Sequence, residues 1–332
     1  VAASALTGCG SSSTAETTAA AAETTTAAAA DSTEAAKEDG KTYNVGICQL
    51  VQHPALDAAT EGFEAALKDK LGDNVKFDLQ NASGDSATCA TIINQFVSND
   101  VDLILANATA ALQAAAAGTS EIPILGTSIT DYATALDIDN WTGTTGLNIS
   151  GTSDLAPLDQ QAAMLNELFP DAKNIGLLYC SAEPNSKYQA TTVKGSLEEL
   201  GYTCKEYTFA DSNDVSSVTA NACSNSDVLY IPTDNTAASC TEAINNVALS
   251  AGIPIVAGEE GLASGCGVAT LSISYYDLGR ATGEMAAEIL TEGADVSTME
   301  VRFAPAFTKE YNADICEALN ITVPEDYVAI AK

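Results

Sequence analysis

Short apolar runs alternate with amphipathic stretches along most of this chain, and that alternation limits the folds open to it. The run from Tyr43 to Cys48 is apolar and bounded by polar residues, as expected of a buried strand. Pro54 then suits the first turn of a helix, and apolar residues recur after it at steps of three and four. The same unit repeats up to Ala257. Repeated strand–helix units predict an α/β architecture with parallel strands and right-handed crossovers.

The predicted units form two groups, each about a hundred residues long, a normal size for one compact lobe. An irregular stretch at 133–146 separates the groups. We expect lobe 1 at 41–150, with part of 259–295, and lobe 2 at 151–258, with part of 296–332. The residues after 258 carry further strand and helix patterns, and we expect them to cross several times between the lobes.

The N-terminal residues resemble a targeting segment followed by a tether. Leu6-Thr7-Gly8-Cys9 is similar to the lipobox of bacterial lipoproteins, in which the cysteine is acylated. We therefore interpret 1–9 as a signal-peptide remnant with Cys9 as the lipidated residue; the alternative is a chance cysteine. Residues 10–40 are almost only Ser, Thr, Ala, Glu and Gly, a composition typical of a disordered tether.

Charge and composition exclude several classes of function. The chain has 13 Lys and Arg against 45 Asp and Glu, for a net charge of −32. Such a surface repels nucleic acid and anionic lipid, so we expect neither as a partner, and we expect a soluble monomer. The sequence contains no run of 18 apolar residues, so no transmembrane helix is predicted. With one His and no CxxC among nine Cys, a metal site is not expected, and we assign no disulfides.

Polar residues follow each predicted strand, at the edge of a parallel sheet where ligands bind. They have hydroxyl, amide, imidazole or carboxylate side chains; the candidate ligand-binding set is Gln49, His53, Thr109, Thr130, Asp131, Asn185, Ser186, Asp234, Asn235 and Glu259, and Asn81, Ser83, Glu183, Thr233 and Glu260 hold similar positions. Carboxylates suit an ammonium group, whereas hydroxyls and helix-start N–H groups suit a carboxylate. The set predicts a zwitterionic ligand such as an amino acid. The alternative is that these residues only cap helices.

Five segments together resemble a family of ABC-transporter substrate-binding proteins, often called the TrpX-like family. The segments are Gln-His-Pro-Ala-Leu-Asp at 52–57, Gln-Asn-Ala-Ser-Gly-Asp at 80–85, Ile-Pro-Ile-Leu-Gly-Thr at 122–127, Pro-Thr-Asp-Asn at 232–235 and Ser-Tyr-Tyr-Asp-Leu-Gly-Arg at 274–280. The resemblance covers 43–327. It implies the type I periplasmic-binding-protein fold: two Rossmann-like lobes with parallel sheets, joined by a multi-strand hinge.

The resemblance also implies a function. The chain would be an extracytoplasmic lipoprotein, held at the membrane only by its lipid, that serves the membrane subunits of an ABC importer. The ligand would be a small zwitterion, such as an aromatic amino acid, held between two closing lobes without a cofactor. The matching positions imply ligand contacts from His53, Thr109, Asp131, Asn185, Ser186, Asp234 and Glu259. Tyr132 and Tyr188 are candidates for an aromatic wall, although Tyr188 lies inside a predicted helix, which favours a core or surface position for it. Tyr132 and Glu259-Glu260 depart from the family's usual residues at their positions.

Two alternatives compete with this hypothesis. The chain shows no GxSxG, HExxH or P-loop motif, and its one His has no Ser or Cys nearby in sequence, so we do not expect an enzyme. The same fold could instead bind a nucleoside or a sugar, or act as a ligand sensor. One Trp and few Arg disfavour a sugar site.

Overall fold

Two sheets of mainly parallel strands organise the computed structural model, which describes residues 40–304 and 306–331. Sheet A pairs its strands in the order β11-β5-β4-β3-β1-β2, and all five pairings are parallel. Its strands are β1 (Tyr43–Gln49), β2 (Val75–Asn81), β3 (Leu103–Asn107), β4 (Ile124–Ile129), β5 (Ile149–Ser153) and β11 (Arg302–Phe303).

Sheet B has the order β13-β12-β10-β9-β8-β6-β7. Only the β10–β12 pairing is antiparallel among its six. Its strands are β6 (Asn174–Cys180), β7 (Thr203–Phe209), β8 (Val228–Ile231), β9 (Ile255–Ala257), β10 (Ala269–Ser272), β12 (Thr308–Tyr311) and β13 (Val328–Ala329). The α/β prediction is confirmed.

The helices cover both faces of each sheet. They are α1 (Pro54–Leu71), α2 (Ser86–Ser98), α3 (Thr109–Gly118), α4 (Tyr132–Leu136), α5 (Leu158–Leu168), α6 (Pro184–Glu199), α7 (Val215–Cys223), α8 (Asn235–Ala238), α9 (Thr241–Ala251), α10 (Glu260–Cys266), α11 (Tyr275–Glu292) and α12 (Ala313–Ala318), with 3₁₀ turns at Gly72–Asn74 and Val296–Thr298. Within the described residues, no helix is both long and apolar enough to cross a membrane.

Each sheet has an apolar core on both faces. Phe96 and Leu112 belong to the core on one face of sheet A, and Phe63 and Met285 to the core on the other. Sheet B has two cores of similar extent. The chain passes between the sheets after β5, between β10 and α11, and again between β11 and β12. All eight described cysteines are free thiols.

Helix α11 packs closely on α1 because glycines let the two backbones approach. A Cβ atom on Gly279 would lie 2.0 Å from the carbonyl oxygen of Ala59, and one on Gly62 would lie 2.0 Å from that of Tyr276. Atoms this close must move apart, so a side chain at either position would separate the helices. This contact fixes α11, the helix that follows β10 of sheet B, against sheet A.

We therefore expect Gly279→Ala to lower the free energy of unfolding by about 1–3 kcal/mol, the usual penalty for overpacking. The matched control is Gly195→Ala in α6, where a Cβ atom would meet no atom within 4 Å. That control should raise stability by up to about 1 kcal/mol through helix propensity. Urea unfolding of both variants measures the difference, and equal effects would contradict the packing argument.

Candidate ligand-binding site

Three residues at the carboxyl edge of sheet A have backbone conformations that L residues rarely adopt. The φ angles are 54° at Ser83, 89° at Ala108 and 56° at Ser128. Such conformations cost about 1–3 kcal/mol each and cluster where proteins bind ligands. At Ser128 the pairing of β4 with β5 is interrupted, and its buried hydroxyl has no partner among the described residues. The strain marks this edge as a candidate site.

The facing edge of sheet B is held by one buried carboxylate, that of Glu183. Its two oxygens accept hydrogen bonds from the backbone N–H groups of Asn235 and Thr236 and from both of their side chains, at 2.7–3.0 Å. Asn185 and Ser186 both donate to the carbonyl oxygen of Thr233 at 3.3 Å. These bonds join the start of α6 to the start of α8 and order the edge.

The two edges are in direct contact. His53 Nε2 lies 3.2 Å from Asn235 Oδ1, and Gln189 donates to the Thr130 hydroxyl at 3.1 Å. On the sheet A side, the Tyr275 hydroxyl, at the start of α11, donates to Asp154, which follows β5. The structure therefore brings residues from both sheets together around one gap, here in a closed arrangement.

Three predicted carboxylates at this gap cap helices. Asp131 accepts a hydrogen bond from the N–H of Thr134, and Glu259 caps the start of α10. Asp234 caps α8 with one oxygen and accepts from the N–H of Cys180 with the other. Burial raises the pKa of Asp234 to about 8 and that of Glu259 to about 7, against the opposing effect of these backbone donors. Both oxygens of Asp234 and of Glu259 are already engaged, as the capping alternative expects.

Asp154 is the carboxylate that sequence reasoning missed. It is 5% exposed; Oδ2 accepts from Tyr275 at 2.9 Å, whereas Oδ1 has no partner in the described part of the chain. Burial raises its pKa to about 6, although the hydrogen bond from Tyr275 and the nearby hydroxyl of Thr130 oppose the shift. Strand β5 has the polar sequence Ile-Ser-Gly-Thr-Ser, so no apolar run revealed it. A strand signal there would have placed Asp154 among the strand-end residues.

Helix α3 begins without a side-chain cap, unlike α2, α4 and α8, which aspartates cap. The uncapped start leaves backbone N–H groups that favour an anion. Thr109, the first residue of α3, is buried, and its hydroxyl makes no hydrogen bond with the described residues. Gln49 supports the neighbouring loop instead, because its amide bonds Asp57 and Thr60.

A cavity of about 280 Å³ lies between the two edges, and of the predicted ligand-binding residues Asn185 and Asn235 line it. Residues from both edges line it, including Leu50, Val51, Ser83, Asp85 and Gln113 on the sheet A side and Glu183, Asn185, Asp211, Asn235 and Thr236 on the sheet B side. No Lys or Arg is among the lining residues. The described residues contain no group of three or more His, Cys, Asp or Glu placed to hold a metal.

Of the two candidate aromatic residues, Tyr132 does not form a wall of the gap and Tyr188 has the core position that its helix favours. Tyr132 is 2% exposed, its ring stacks on Trp141, and its hydroxyl donates to the carbonyl oxygens of Gly126 and Thr152. Tyr188 is half-buried and packs against a core of sheet B. The expectation that Tyr132 forms a wall of the gap is wrong, because its ring is buried against Trp141 and its hydroxyl bonds the backbone of sheet A.

The predicted lipidation site, Cys9, and the tether, apart from Gly40, lie outside the described residues.

The two lobes, the polar gap and the contacts across it define a solute-binding protein of the type I periplasmic class.

The comparisons place the chain in a family. The profile of the ABC transporter substrate binding proteins matches residues 44–332, so the chain belongs to that family. It is therefore the substrate-binding protein of an ABC transporter. The chain is 38% identical over 292 residues to a tyrosine-binding protein of Clostridioides difficile strain R20291, covering 87% of this chain and 84% of that relative.

Two solved structures show which conformation the chain has. An ABC domain from Streptococcus pneumonia in complex with L-Trp matches with a TM-score of 0.83 at 31% identity, over 88% of this chain and 100% of that one. A ligand-free, open substrate-binding protein with adhesive properties from Clostridium difficile is 37% identical but matches with a TM-score of only 0.66, over 87% and 100%. The better fit to the ligand-bound structure agrees with the hydrogen bonds across the gap.

We expect Tyr132→Phe to lower the free energy of unfolding by about 1–3 kcal/mol, because two buried carbonyl oxygens lose their shared donor. Tyr43→Phe is the control, since the Tyr43 hydroxyl makes no hydrogen bond with the described residues and the change should be small. Thermal unfolding measures both. If Tyr132→Phe instead weakened ligand binding and left stability unchanged, Tyr132 would be a residue of the ligand site.

Proposed function

We propose that this protein binds an aromatic α-amino acid in the gap between its two sheets and presents it to an ABC importer. The observation that carries the proposal is the unpaired oxygen of Asp154. The two lobes, predicted at 41–150 and 151–258, would be built on sheet A and sheet B, with the boundary moved past β5, which lies wholly in sheet A. The three crossovers would be the hinge on which they close.

The charge of the gap favours a ligand with an ammonium group. The buried carboxylates of the described residues are Asp154, Glu183, Asp234 and Glu259, and no Lys or Arg is buried with them. Backbone N–H groups satisfy the last three. A buried carboxylate without a full set of partners is costly, so a cationic group at Asp154 Oδ1 would complete the site.

The start of α3 is placed for the ligand carboxylate. In sheet A, strand β4 alone separates β5, which leads to Asp154, from β3, which leads to Thr109. Two strand spacings are about 10 Å. That distance fits the ammonium and carboxylate of one α-amino acid with a hydrogen bond of about 3 Å at each end. The unpaired hydroxyl of Ser128, on β4, lies between them in the sheet.

The relatives supply the side-chain class. One is named a tyrosine-binding protein, and another was solved with L-Trp. The remaining predicted residues, His53, Asn185, Ser186 and Asn235, would complete the wall from both edges. We further propose that the protein is extracytoplasmic, anchored through a lipid on Cys9, monomeric and without catalytic activity. His53 supports the last point, because its partner is the amide of Asn235 rather than a nucleophile.

Asp154→Asn should weaken the binding of tyrosine or tryptophan by tenfold or more, since it removes the charge that pairs with the ammonium. The control is Asp69→Asn, which makes the same charge change at an exposed ion pair with Arg280. Isothermal titration measures both. Equal affinity of the two variants would show that Asp154 does not bind the ligand amine.

A thermal-shift screen of amino acids, amines lacking the carboxylate, nucleosides and sugars tests the ligand class. A ligand at a hundredfold excess over its Kd should stabilise the protein by about 2.7 kcal/mol. Shifts with nucleosides or sugars but with no amino acid would contradict the proposal.

The effect of the ligand should also depend on pH. Burial raises the pKa of Asp154 to about 6, above its ordinary value. Below that pH its protonated form is favoured and must lose a proton to pair with an ammonium, whereas above it the buried charge is costly until a cation pairs with it. The thermal shift caused by tyrosine should therefore be larger at pH 8 than at pH 5. The difference should shrink in Asp154→Asn.

A further inference from the structure

His53 has a buried ring nitrogen without a partner. The residue is 6% exposed and precedes α1, and its Nδ1 makes no hydrogen bond with the described residues. Its other nitrogen, Nε2, contacts Asn235 Oδ1. A buried polar atom left unpaired is costly, so one of this kind at a ligand site indicates a group that the ligand supplies.

The neighbours of His53 decide whether Nδ1 carries a proton. Asn235 Nδ2 donates to Glu183 Oε2 at 2.7 Å. A reversed amide would set its oxygen against this carboxylate, so the amide orientation is fixed. Asn235 Oδ1 must then accept, and His53 Nε2 must be the donor. In a neutral imidazole only one nitrogen carries hydrogen, so Nδ1 has a free lone pair. Burial favours the neutral ring by lowering the pKa of His53, although Glu183 and Asp57 act in the opposite direction.

The two hydrogen bonds that join His53 to Asn235 and Asn235 to Glu183 exist together only when the gap is closed. His53 follows β1 of sheet A, whereas Asn235 and Glu183 follow β8 and β6 of sheet B. Separation of the sheets would expose the His53 ring to water, and either ring nitrogen could then carry the proton. The acceptor at Nδ1 is therefore set by closure itself.

The position of His53 separates it from the amino-acid head group. Strands β4 and β3 lie between β5, which leads to Asp154, and β1, which leads to His53. Three strand spacings are about 14 Å, too far for an ammonium on Asp154 to reach. The cavity of about 280 Å³ is lined by Leu50 and Val51, which follow β1, and by Asn235, the partner of His53. A ligand whose ammonium lies at Asp154 would therefore extend its side chain toward His53.

We propose that His53 Nδ1 accepts a hydrogen bond from a donor on the ligand side chain, a phenol O–H or an indole N–H. Glu183 and Asn235 act as positioning residues that keep Nδ1 unprotonated in the closed state. The inference rests on the proposed function and adds a selection rule to it. Tyrosine and tryptophan carry the donor, and phenylalanine, of similar size, does not.

The first experiment compares the three ligands on the unmodified chain by isothermal titration. Phenylalanine should bind about 10- to 100-fold more weakly than tyrosine, because Nδ1 stays unpaired in its complex. Equal affinities for tyrosine and phenylalanine would overturn the inference while leaving the proposed function intact. Failure of all three to bind would overturn both.

The second experiment uses the fact that the chain has a single histidine. Protein labelled with ¹⁵N-histidine gives one imidazole signal set. With tyrosine bound, the ring should be neutral with its proton on Nε2. Without ligand it should titrate closer to the ordinary pKa of about 6.5. A proton on Nδ1 in the tyrosine complex would contradict the proposal.

Asn235→Ala tests the positioning role. Without the amide, His53 can adopt either tautomer, so the tyrosine-to-phenylalanine affinity ratio should fall toward one. The matched control is Asn246→Ala on the exposed face of α9, which should leave the ratio unchanged. If Asn235→Ala lowers the affinity for both ligands by the same factor, Asn235 serves closure alone, and the proposal that it sets the tautomer of His53 is wrong.

Discussion

Among the residues that the structure describes, buried negative charge without a buried cation is the constraint on which the site depends. The four carboxylates enclosed at the gap stay there because backbone N–H groups of neighbouring helix starts hold three of them. Helix α8, for example, is capped by Asp234, which at the same time accepts from the N–H of Cys180. At some strand ends, the N–H groups of a helix start therefore hydrogen-bond a buried carboxylate of the protein itself. At Asp154 and at α3 it leaves polar groups for a ligand.

The same division of roles explains how the gap can close. Hydrogen bonds across it, from His53 to Asn235 and from Gln189 to Thr130, join side chains that water would otherwise solvate. Such exchanges contribute little net free energy. Closure then depends on what the ligand adds at the unpaired atoms. The close packing of α11 on α1 fixes the crossover helix against sheet A, so a hinge would have to lie in the segments that connect the sheets.

Much of the architecture could be predicted from the sequence, because buried parallel strands give apolar runs and their helices give a period of three to four. The strands of 43–48 and 174–180 were recognised in this way. Strand β5 was not, because its Ser, Thr and Gly residues are covered by α11 through the Thr152–Thr282 hydrogen bond rather than by apolar packing. Asp154 was missed for that reason. Tyr132 was misplaced because a loop sequence does not show into which layer a ring packs.

The sequence by itself determined the fold class, the acidic character and the polar residue types at the strand ends, since these follow from local periodicity and composition. Only the tertiary structure decided which of those residues are engaged as helix caps and which keep an unpaired atom. Whether a carboxylate bonds the N–H groups of its own helix or faces the gap depends on atoms that are far apart in the chain. Local sequence patterns do not give the distances between such atoms.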